Sequence, residues 1–595
     1  MAFPNKKLID DPNDVVTEFI EGLVETYSGL QYLDGFPLVK VVLRADVSAA
    51  TYDKVAIVSG GGSGHEPAHA GFVGEGMLTA AICGDIFSSP PVDSILAGIR
   101  AVTGPKGCLL IVKNYTGDRL NFGLAAEIAK SEGYKVETVI VGDDCALPPP
   151  RGIAGRRGLA GTILVHKVAG AAAAGGLSLA DVAAEAKHAS EIVGTMGVAL
   201  TVCSIPGQVA SDRLGPGKME LGLGIHGEPG AAVADIQPVN VVVSHVLQQI
   251  LSTVCCMPQY CMKALDGLGA TPTMELMIIA GKTVPKLQLE HGLAVDRVYT
   301  GSFMTSLDMA GFSISIMKAD PVILQRLDAP TKAPYWPVAA DGNHPPAKIP
   351  VPIPASRSAK TDEPRSQPLQ LNEQGQILEV AIEAAANAII NLKDNLNEWD
   401  GKVGDGDCGS TMYRGAKAIL EDIKNYPLND AAETVGEIGS SIGRSMGGTS
   451  GIMYDAIPMP PLNTFGAKSK FPFWCHFKTI PFVDSGAEAL AVSIAAVSKY
   501  GGASAGYRTL LDALIPASLV LEEKLNSGVD PCIAFVLSSE AALAGAQSTV
   551  DMQAQAGRST YFSGEILSTV PDPGAMAAAT WYRAAALAVK AKYQS

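Results

Sequence analysis

The residues best suited to chemistry lie in short glycine-rich stretches. Glu220 to Gly230 reads Glu-Leu-Gly-Leu-Gly-Ile-His-Gly-Glu-Pro-Gly and sets one imidazole, His226, among four glycines and a proline. Glycine permits positive φ and close approach of backbone to a ligand, so this imidazole has little bulk around it and suits a small molecule. A turn with a merely solvated histidine satisfies the same composition. A second stretch, Ser59-Gly60-Gly61-Gly62-Ser63-Gly64-His65-Glu66-Pro67, follows the apolar run Val55 to Val58. After a strand, such a loop offers backbone N–H groups to a phosphate or a sugar-like ligand. A third, Lys113-Asn114-Tyr115-Thr116-Gly117-Asp118, follows the run ending at Val112. Lys113 suits an anionic or hydroxyl oxygen; Asp118 suits a hydroxyl proton, and also a cap on a helix beginning near Leu120. A fourth places Asp400, Asp405 and Asp407 within eight residues, separated by glycines. Three like charges converge only around cations, and hard oxygen ligands suit Mg²⁺, which bridges nucleotide phosphates. A solvated acidic turn is the alternative. Gly447 to Gly451 forms another phosphate-friendly loop, and Arg508 with Thr509, and Asp572-Pro573-Gly574, are further candidates for nucleotide contact.

Several familiar motifs fail on spacing. The third glycine of a dinucleotide fingerprint falls on His65, and the early glycine of a Walker A loop ending at Gly281-Lys282-Thr283 falls on Leu276. His65 to His69 formally reads HExxH, but it begins directly after a glycine loop and carries Pro67, which fits only a helix start. The aspartate turn lacks the spacing and terminal glutamate of an EF-hand.

The elements that must position these residues follow from pattern. Apolar runs at 55–58, 109–112, 136–141 and 198–202 alternate with helical patterns at 92–102, 121–131 and 179–190, after an amphipathic helix at 14–27. Strands alternating with helices indicate an α/β domain, whose ligand crevice lies beyond the carboxyl ends of the strands. Prolines then crowd residues 330 to 370, which reads as an extended linker or a proline-rich arm packed on a domain. Beyond 371 the pattern is helical, with Ile377, Leu378, Ala381, Ala385, Ala388, Leu392 and Leu396 on one face and further helices at 415–425, 431–443, 486–499, 509–524, 533–547 and 574–592. Lys plus Arg total 45 against 60 Asp plus Glu, a net charge of −15, which excludes a basic nucleic-acid face. The ten scattered cysteines make no zinc or disulfide framework, so reduced thiols and a cytoplasmic location are expected. The apolar stretches are interrupted before membrane-spanning length, so no membrane partner is expected.

Taken together, these motifs resemble the ATP-dependent dihydroxyacetone kinases. The resemblance rests on Gly60 to Pro67, Lys113 to Asp118, Ala154 to Gly158, Gly222 to Gly230, Gly267 to Pro272, Asp400 to Gly409, Gly447 to Gly451, Gly501-Gly502 with Arg508-Thr509, and Asp572 to Gly574, in order along most of the chain. It implies an α/β dihydroxyacetone-binding domain of two α/β subdomains over 1–333, a proline-rich linker over 334–370, and an all-α antiparallel helical-bundle nucleotide domain over 371–595. It further implies that His226 binds the substrate ketone covalently as a hemiaminal. Gly62, Ser63, Gly64, His65, Lys113 and Asp118 would hold the hydroxyls, with His65 and Asp118 assisting the attacking one. Asp400, Asp405 and Asp407 would hold two Mg²⁺ ions on ATP. Cys408, Gly409, Ser410, Thr411, Thr449, Ser450, Gly501, Arg508, Thr509, Asp572, Pro573 and Gly574 would contact the nucleotide. Dihydroxyacetone and D-glyceraldehyde are the implied acceptors, a homodimer the implied assembly. Animal members also split FAD into AMP and cyclic FMN, with Mn²⁺ favoured. Some single-domain relatives only bind dihydroxyacetone to control partners, the alternative from a different class.

Three segments depart from the family pattern. Cys408 stands where many members carry histidine. Residues 253–266 are expected to replace the family's hydrophobic strand before Gly267 by a shorter cysteine-bearing segment, and 452–484 departs from the helix expected after Gly451.

Overall fold

In the computed structural model, the apolar runs that feed glycine loops are strands, because a run without polar alternation must be covered on both faces. The structure describes residues 7–147, 155–209, 213–254, 260–337, 368, 370–447 and 483–594. The chain divides into two compact units, Met1–Val351 and Pro352–Ser595.

In the first unit, β1 (Leu30–Tyr32), β2 (Val41–Arg44), β3 (Ala56–Ser63), β4 (Ala80–Ile86), β5 (Cys108–Lys113) and β6 (Val136–Val141) form a sheet in the order β1-β2-β4-β3-β5-β6. β4, β3, β5 and β6 run parallel, while β1 and β2 pair antiparallel at one edge. β3 therefore lies between β4 and β5, and Ser63, Ile86 and Lys113 end at one side of the sheet, where ligands bind in such folds. A second sheet has the order β11-β10-β12-β7-β8-β9, built from β7 (Val193–Ala199), β8 (Lys218–Leu221), β9 (Ala232–Asp235), β10 (Tyr260–Gly267), β11 (Ala294–Gly301) and β12 (Gly311–Lys318).

Helices α1 (Val15–Thr26), α2 (Val92–Val102) and α5 (Leu179–Glu191) lie where the sequence pattern puts them. α3 (Thr116–Ser131) begins four residues earlier than the expected Leu120, so Asp118 sits inside its first turn rather than ahead of it. There its charge faces the positive end of the helix dipole. α4 (Gly161–Ala174) is absent from the sequence reading because it is buried on nearly every side and carries no amphipathic period. α6 (Val239–Thr253), α7 (Thr273–Pro285) and α8 (Pro321–Asp328) complete the unit.

Two strand expectations need correction. The run at 198–202 is not the strand: β7 ends at Ala199 and reaches back to Val193, incorporating Gly194 and Gly197 as buried strand positions. The expected loss of a strand in 253–266 is also wrong. β10 is an inner strand, parallel to β11 and antiparallel to β12, with Leu265 opposite both Thr300 and Ile314. Cys261, Met262 and Leu265 are buried and supply its apolar surface. The disguise is Lys263, wholly buried with no partner for its Nζ and pushed by burial down to about 7. Residues 255–259 lie outside the described residues.

The first unit packs past the expected boundary at 333. Trp336 is buried, with the Lys167 ammonium over its ring at 5.9 Å, and Tyr335 meets Tyr27 edge-on at 5.9 Å. Lys167 also donates to the carbonyls of Arg326 and Ala329, each at 2.7 Å. The expected linker lies outside the described residues over 338–367. Deep in the unit, His69 Nδ1 stands 2.9 Å from His166 Nε2 and 3.4 Å from Ser59 Oγ, whose hydroxyl donates to the Ile111 carbonyl at 2.6 Å.

The second unit is helical throughout its described residues: α9 (Glu373–Val403), α10 (Cys408–Asp422), α11 (Ala431–Ser445), then helices Val483–Gly501, Leu511–Asn526, Pro531–Ser548 and Pro573–Gln594. Asn372, Asp430 and Asp530 accept from first-turn N–H groups and so define starts. Contrary to the expectation of interrupted apolar stretches, 531–551 is long and apolar enough to cross a membrane by length and composition. In this fold Ala534, Phe535, Ala542 and Ala546 are buried in the unit's core with Leu514 and Tyr582. The divergent segment is outside the described residues over 452–482.

Leu265→Ala removes a wholly buried side chain from β10 and is expected to cost about 2–5 kcal/mol, read as a lowered denaturation midpoint. A surface-like change below about 0.5 kcal/mol would return residues 260–267 to a peripheral role.

Candidate functional site

His226 sits in the β8–β9 connection. Glu220 closes that connection by accepting the Gly230 N–H at 2.7 Å, and Arg157 braces it by donating to the Gly222 carbonyl at 2.7 Å while pairing with Asp144. This accounts for Arg157 within the Gly155 to Gly158 stretch. The Glu228 carboxylate folds back on His226, taking its backbone N–H at 3.1 Å and its ring Nδ1 at 2.7 Å. Gly224 leaves room for this fold-back, since a Cβ there would stand 1.9 Å from Glu228 Oε2 and displace that carboxylate. Burial works against the Glu228 charge, but the hydrogen bond to His226 and the charge of that ring outweigh it and hold the carboxyl down to about 2. An ionised carboxylate only accepts, so when the His226 ring is neutral its proton sits on Nδ1 and the lone pair on Nε2.

Three rings meet His226 edge-on: His65 at 4.8 Å, Phe87 at 5.1 Å and Tyr115 at 4.7 Å. His65 is wholly buried, and its Nδ1 lies 2.8 Å from the Thr305 carbonyl. A carbonyl only accepts, so here too Nδ1 is protonated and Nε2 is the free base. Burial, then the charge of Lys113, pushes His65 well below its usual value and keeps it neutral. Lys113 and Asp118 flank Gly61: a Cβ there would stand 3.2 Å from Lys113 Nζ and 3.5 Å from Asp118 Oδ2. Ser89 donates to Asp118 Oδ1 at 2.5 Å. Burial lowers Lys113, opposed by Asp118, Glu228 and Glu66.

Buried polar groups normally find partners, because leaving one unsatisfied costs about 1–3 kcal/mol. Here His65 Nε2, Lys113 Nζ and the Tyr115 hydroxyl are all buried without one. An acceptor and two donors unsatisfied in one neighbourhood fit a small polyhydroxy or carbonyl ligand. Gly62, Ser63 and Gly64 form the wall of this neighbourhood beside Phe87, and Ser63 itself donates to the Gly84 carbonyl at 2.8 Å. The sequence reading missed Ser89, Tyr115, Glu228 and Phe87. Glu228 was legible as the carboxylate two residues from His226, and Tyr115 as part of the Lys113 to Asp118 stretch; Ser89 and Phe87 required the pairing of β3, β4 and β5.

In the second unit, ligand oxygens of Asp400, Asp405 and Asp407 lie within 4.8 Å of one another. Asp400 Oδ2 accepts the N–H groups of Asp407 at 2.9 Å and Cys408 at 3.0 Å, at the start of α10. Arg558 pairs with Asp405. Three neighbouring carboxylates, one of them paired with a guanidinium, leave negative charge in excess, and an all-oxygen set fits Mg²⁺. The Cys408 thiol is pushed up to about 12 by burial and then by Asp400 and Asp572, so it stays protonated. Gly409 and Thr411 are buried in the first turn of α10, and the Ser410 N–H donates to Asn397 at 2.9 Å. Asp572 is buried, caps the Ala575 N–H at 2.7 Å, and is pushed up to about 6 by burial. Pro573 and Gly574 open the helix behind it.

Other expected nucleotide residues are placed differently. Arg508 is buried, and its guanidinium donates to the carbonyls of Thr549, Leu567 and Val570. Thr509 gives its N–H to Asp512 at 2.7 Å, and Gly501 ends an exposed helix terminus. Thr449 and Ser450 lie outside the described residues.

Comparison with known proteins matches a Dak1 domain to residues 21–335 and a DAK2 domain to residues 402–587. The chain is 75% identical over the full length of both chains to a Solanum lycopersicum protein named "Putative 3,4-dihydroxy-2-butanone kinase". It is 39% identical to the Mus musculus triokinase/FMN cyclase over 98% of each chain. Among solved structures, the dihydroxyacetone kinase from C. freundii in complex with AMP-PNP and Mg²⁺ matches with a TM-score of 0.60 and 34% identity, over 98% of this chain and 99% of that one.

Glu228→Ala removes the acceptor that fixes the His226 tautomer. In ¹⁵N NMR of the neutral ring, wild type is expected to show protonated Nδ1 alone, and the variant a mixture of tautomers. An unchanged tautomer would mean that Glu228 does not set the ring's proton.

Proposed function

The chain belongs to the dihydroxyacetone kinase family, and on that premise we propose that it transfers the γ-phosphate of Mg-ATP to dihydroxyacetone, and also to D-glyceraldehyde. The observation that carries the choice of a carbonyl substrate is the His226–Glu228 pair, which leaves Nε2 as a free lone pair beside unsatisfied donors. In this reading Nε2 adds to the ketone carbon and the carbonyl π pair moves to oxygen. The Nδ1 proton stays against Glu228. The new oxygen takes a proton from the donors of the cluster, Lys113 and Tyr115. Glycerol offers no such carbon and is not held. Gly62, Ser63, Gly64, Lys113 and Asp118 hold the hydroxyls. The free Nε2 of His65 and the carboxylate of Asp118 are the bases for the attacking hydroxyl.

Asp400, Asp405 and Asp407 would hold two Mg²⁺ ions, which when bound neutralise phosphate charge during transfer. Cys408, Gly409, Ser410, Thr411, Asp572, Pro573 and Gly574 border that site and are proposed to contact the nucleotide. Thr449, Ser450, Gly501, Arg508 and Thr509 complete the proposal. Arg508 would act by holding the 549–570 carbonyls in place. The division into a ketone-binding domain, expected over 1–333 and packed as far as Trp336, a linker and an antiparallel helical bundle from 371, the homodimer and the cytoplasmic location belong to the same reading.

A second activity, cleavage of FAD to AMP and cyclic FMN, is supported by the likeness to the triokinase/FMN cyclase of Mus musculus. We assign it to the same carboxylates, with Mn²⁺ as the proposed ion. A purely regulatory ketone-binding role is disfavoured by the assembled carboxylates.

A coupled assay with dihydroxyacetone and Mg-ATP tests the reading. Asp405→Ala is expected to abolish phosphoryl transfer. His226→Ala is expected to raise KM about a hundredfold, ~2.7 kcal/mol, with glycerol gaining relative to dihydroxyacetone. Full activity in both variants would overturn the mechanism, and a folded wild type that binds ketone without turnover would favour the regulatory role.

A further inference from the structure

Among the described residues only three that are not glycine adopt a left-handed φ: Phe87 at +56°, Leu307 at +52° and Arg508 at +61°. Such a conformation costs on the order of 1–3 kcal/mol and persists only where surrounding structure enforces it. Two of the three stand on either side of the glycine-rich end of β3 and the turn that follows it, where the structure has strand over Gly60 to Ser63 in place of the expected loop. Phe87 follows β4 of the first sheet and donates its N–H to the Ser63 carbonyl at 2.9 Å; Leu307 precedes β12 of the second and donates to the Gly64 carbonyl at 2.8 Å. Their side chains converge on Gly64. A Cβ there would stand 2.7 Å from the Phe87 ring and 3.5 Å from Leu307 Cδ2. Gly62 admits the turn itself, since a Cβ would lie 2.6 Å from the Ser88 nitrogen.

The outcome of this enforced geometry is the position of one ring. Phe87 stacks on His65 at 5.2 Å and 23°, and meets His226 edge-on at 5.1 Å and 85°. Of the three rings around His226, only Phe87 has no polar atom to offer a ligand. His65 and Tyr115 carry the unsatisfied nitrogen and hydroxyl. A strained backbone that places a wholly apolar ring against both histidines contributes shape, not hydrogen bonding.

Resting on the ketone-binding reading above, we propose that Phe87 is the specificity-determining wall of the site. Its ring fills the space beside His65 and His226 into which a longer ketose would extend, and so sets the upper size of the ketone accepted. The left-handed backbone of Phe87, locked to Ser63, is what keeps that wall in place.

The variant Phe87→Gly isolates the ring, because glycine takes the same φ without cost and preserves the turn. Calorimetric titration with ketone alone, without nucleotide, gives the affinity for dihydroxyacetone and for the five-carbon 2-ketose D-xylulose. The ratio of the two is expected to shift toward D-xylulose by about tenfold or more, the range for removing a packing surface from an apolar wall. Phe87→Leu, which keeps an apolar side chain, is expected to shift the ratio in the same direction by less. It provides the readout if Phe87→Gly fails to fold. Ketone binding with an unchanged ratio in a folded variant overturns the assignment of Phe87 alone. A wild type that binds neither ketone overturns the ketone-binding reading and this inference with it.

Discussion

The hydrogen bond from His65 Nδ1 to the Thr305 carbonyl is the constraint on which the first unit's chemistry depends. It reaches from the glycine loop after β3 to the connection between β11 and β12, and so joins the two sheets at the point where the ligand cluster forms. Neighbouring bonds repeat the tie: Thr305 donates its N–H to the His65 carbonyl and its hydroxyl to the Glu66 carbonyl. Because a carbonyl cannot donate, the same bond decides which nitrogen of His65 is basic. Position and protonation state thus come from one contact. Glu228 does the same for His226 with a carboxylate in place of a carbonyl. The cluster is preorganised before any ligand arrives, at the cost of polar atoms left buried and unsatisfied.

What the sequence disclosed was the part written in local chemistry. Glycine loops around His65 and His226, the Lys113 to Asp118 turn and the three aspartates were legible because each occupies a few consecutive residues whose types only a ligand site or a turn explains. Helices such as α2 and α5 were legible because one face is polar. Elements buried on every side were not: α4 has no polar face to reveal a period, and β10 carries Lys263, a residue type that normally argues for exposure. Partners across the fold were hidden for a different reason. Ser89 reaches Asp118 from 29 positions away in the chain, and nothing in either local sequence announces the other.

In the helical unit a residue read as a ligand contact also carries a structural load. Arg508 was read as a nucleotide contact because guanidinium groups suit phosphates. In the fold it is buried and gathers three backbone carbonyls from the turns around Thr549 and Leu567 to Val570. Those carbonyls precede Asp572, whose carboxyl caps the last long helix and is electrostatically coupled to Asp400 and Arg508. Arg508 therefore ties together the turns that lead into Asp572.

The buried pair of His69 and His166 has a consequence of its own. Each ring has one nitrogen facing the other and one with no partner, so two proton arrangements are available, as between neighbouring molecules in ice. Ser59 breaks the symmetry. Its hydroxyl proton is committed to the Ile111 carbonyl, which leaves its oxygen able only to accept, so His69 Nδ1 is favoured as the donor to both neighbours. Proton order in a helix on one face of the sheet is thereby dictated by a carbonyl of a central strand, a correlation carried by orientation alone and without any net charge.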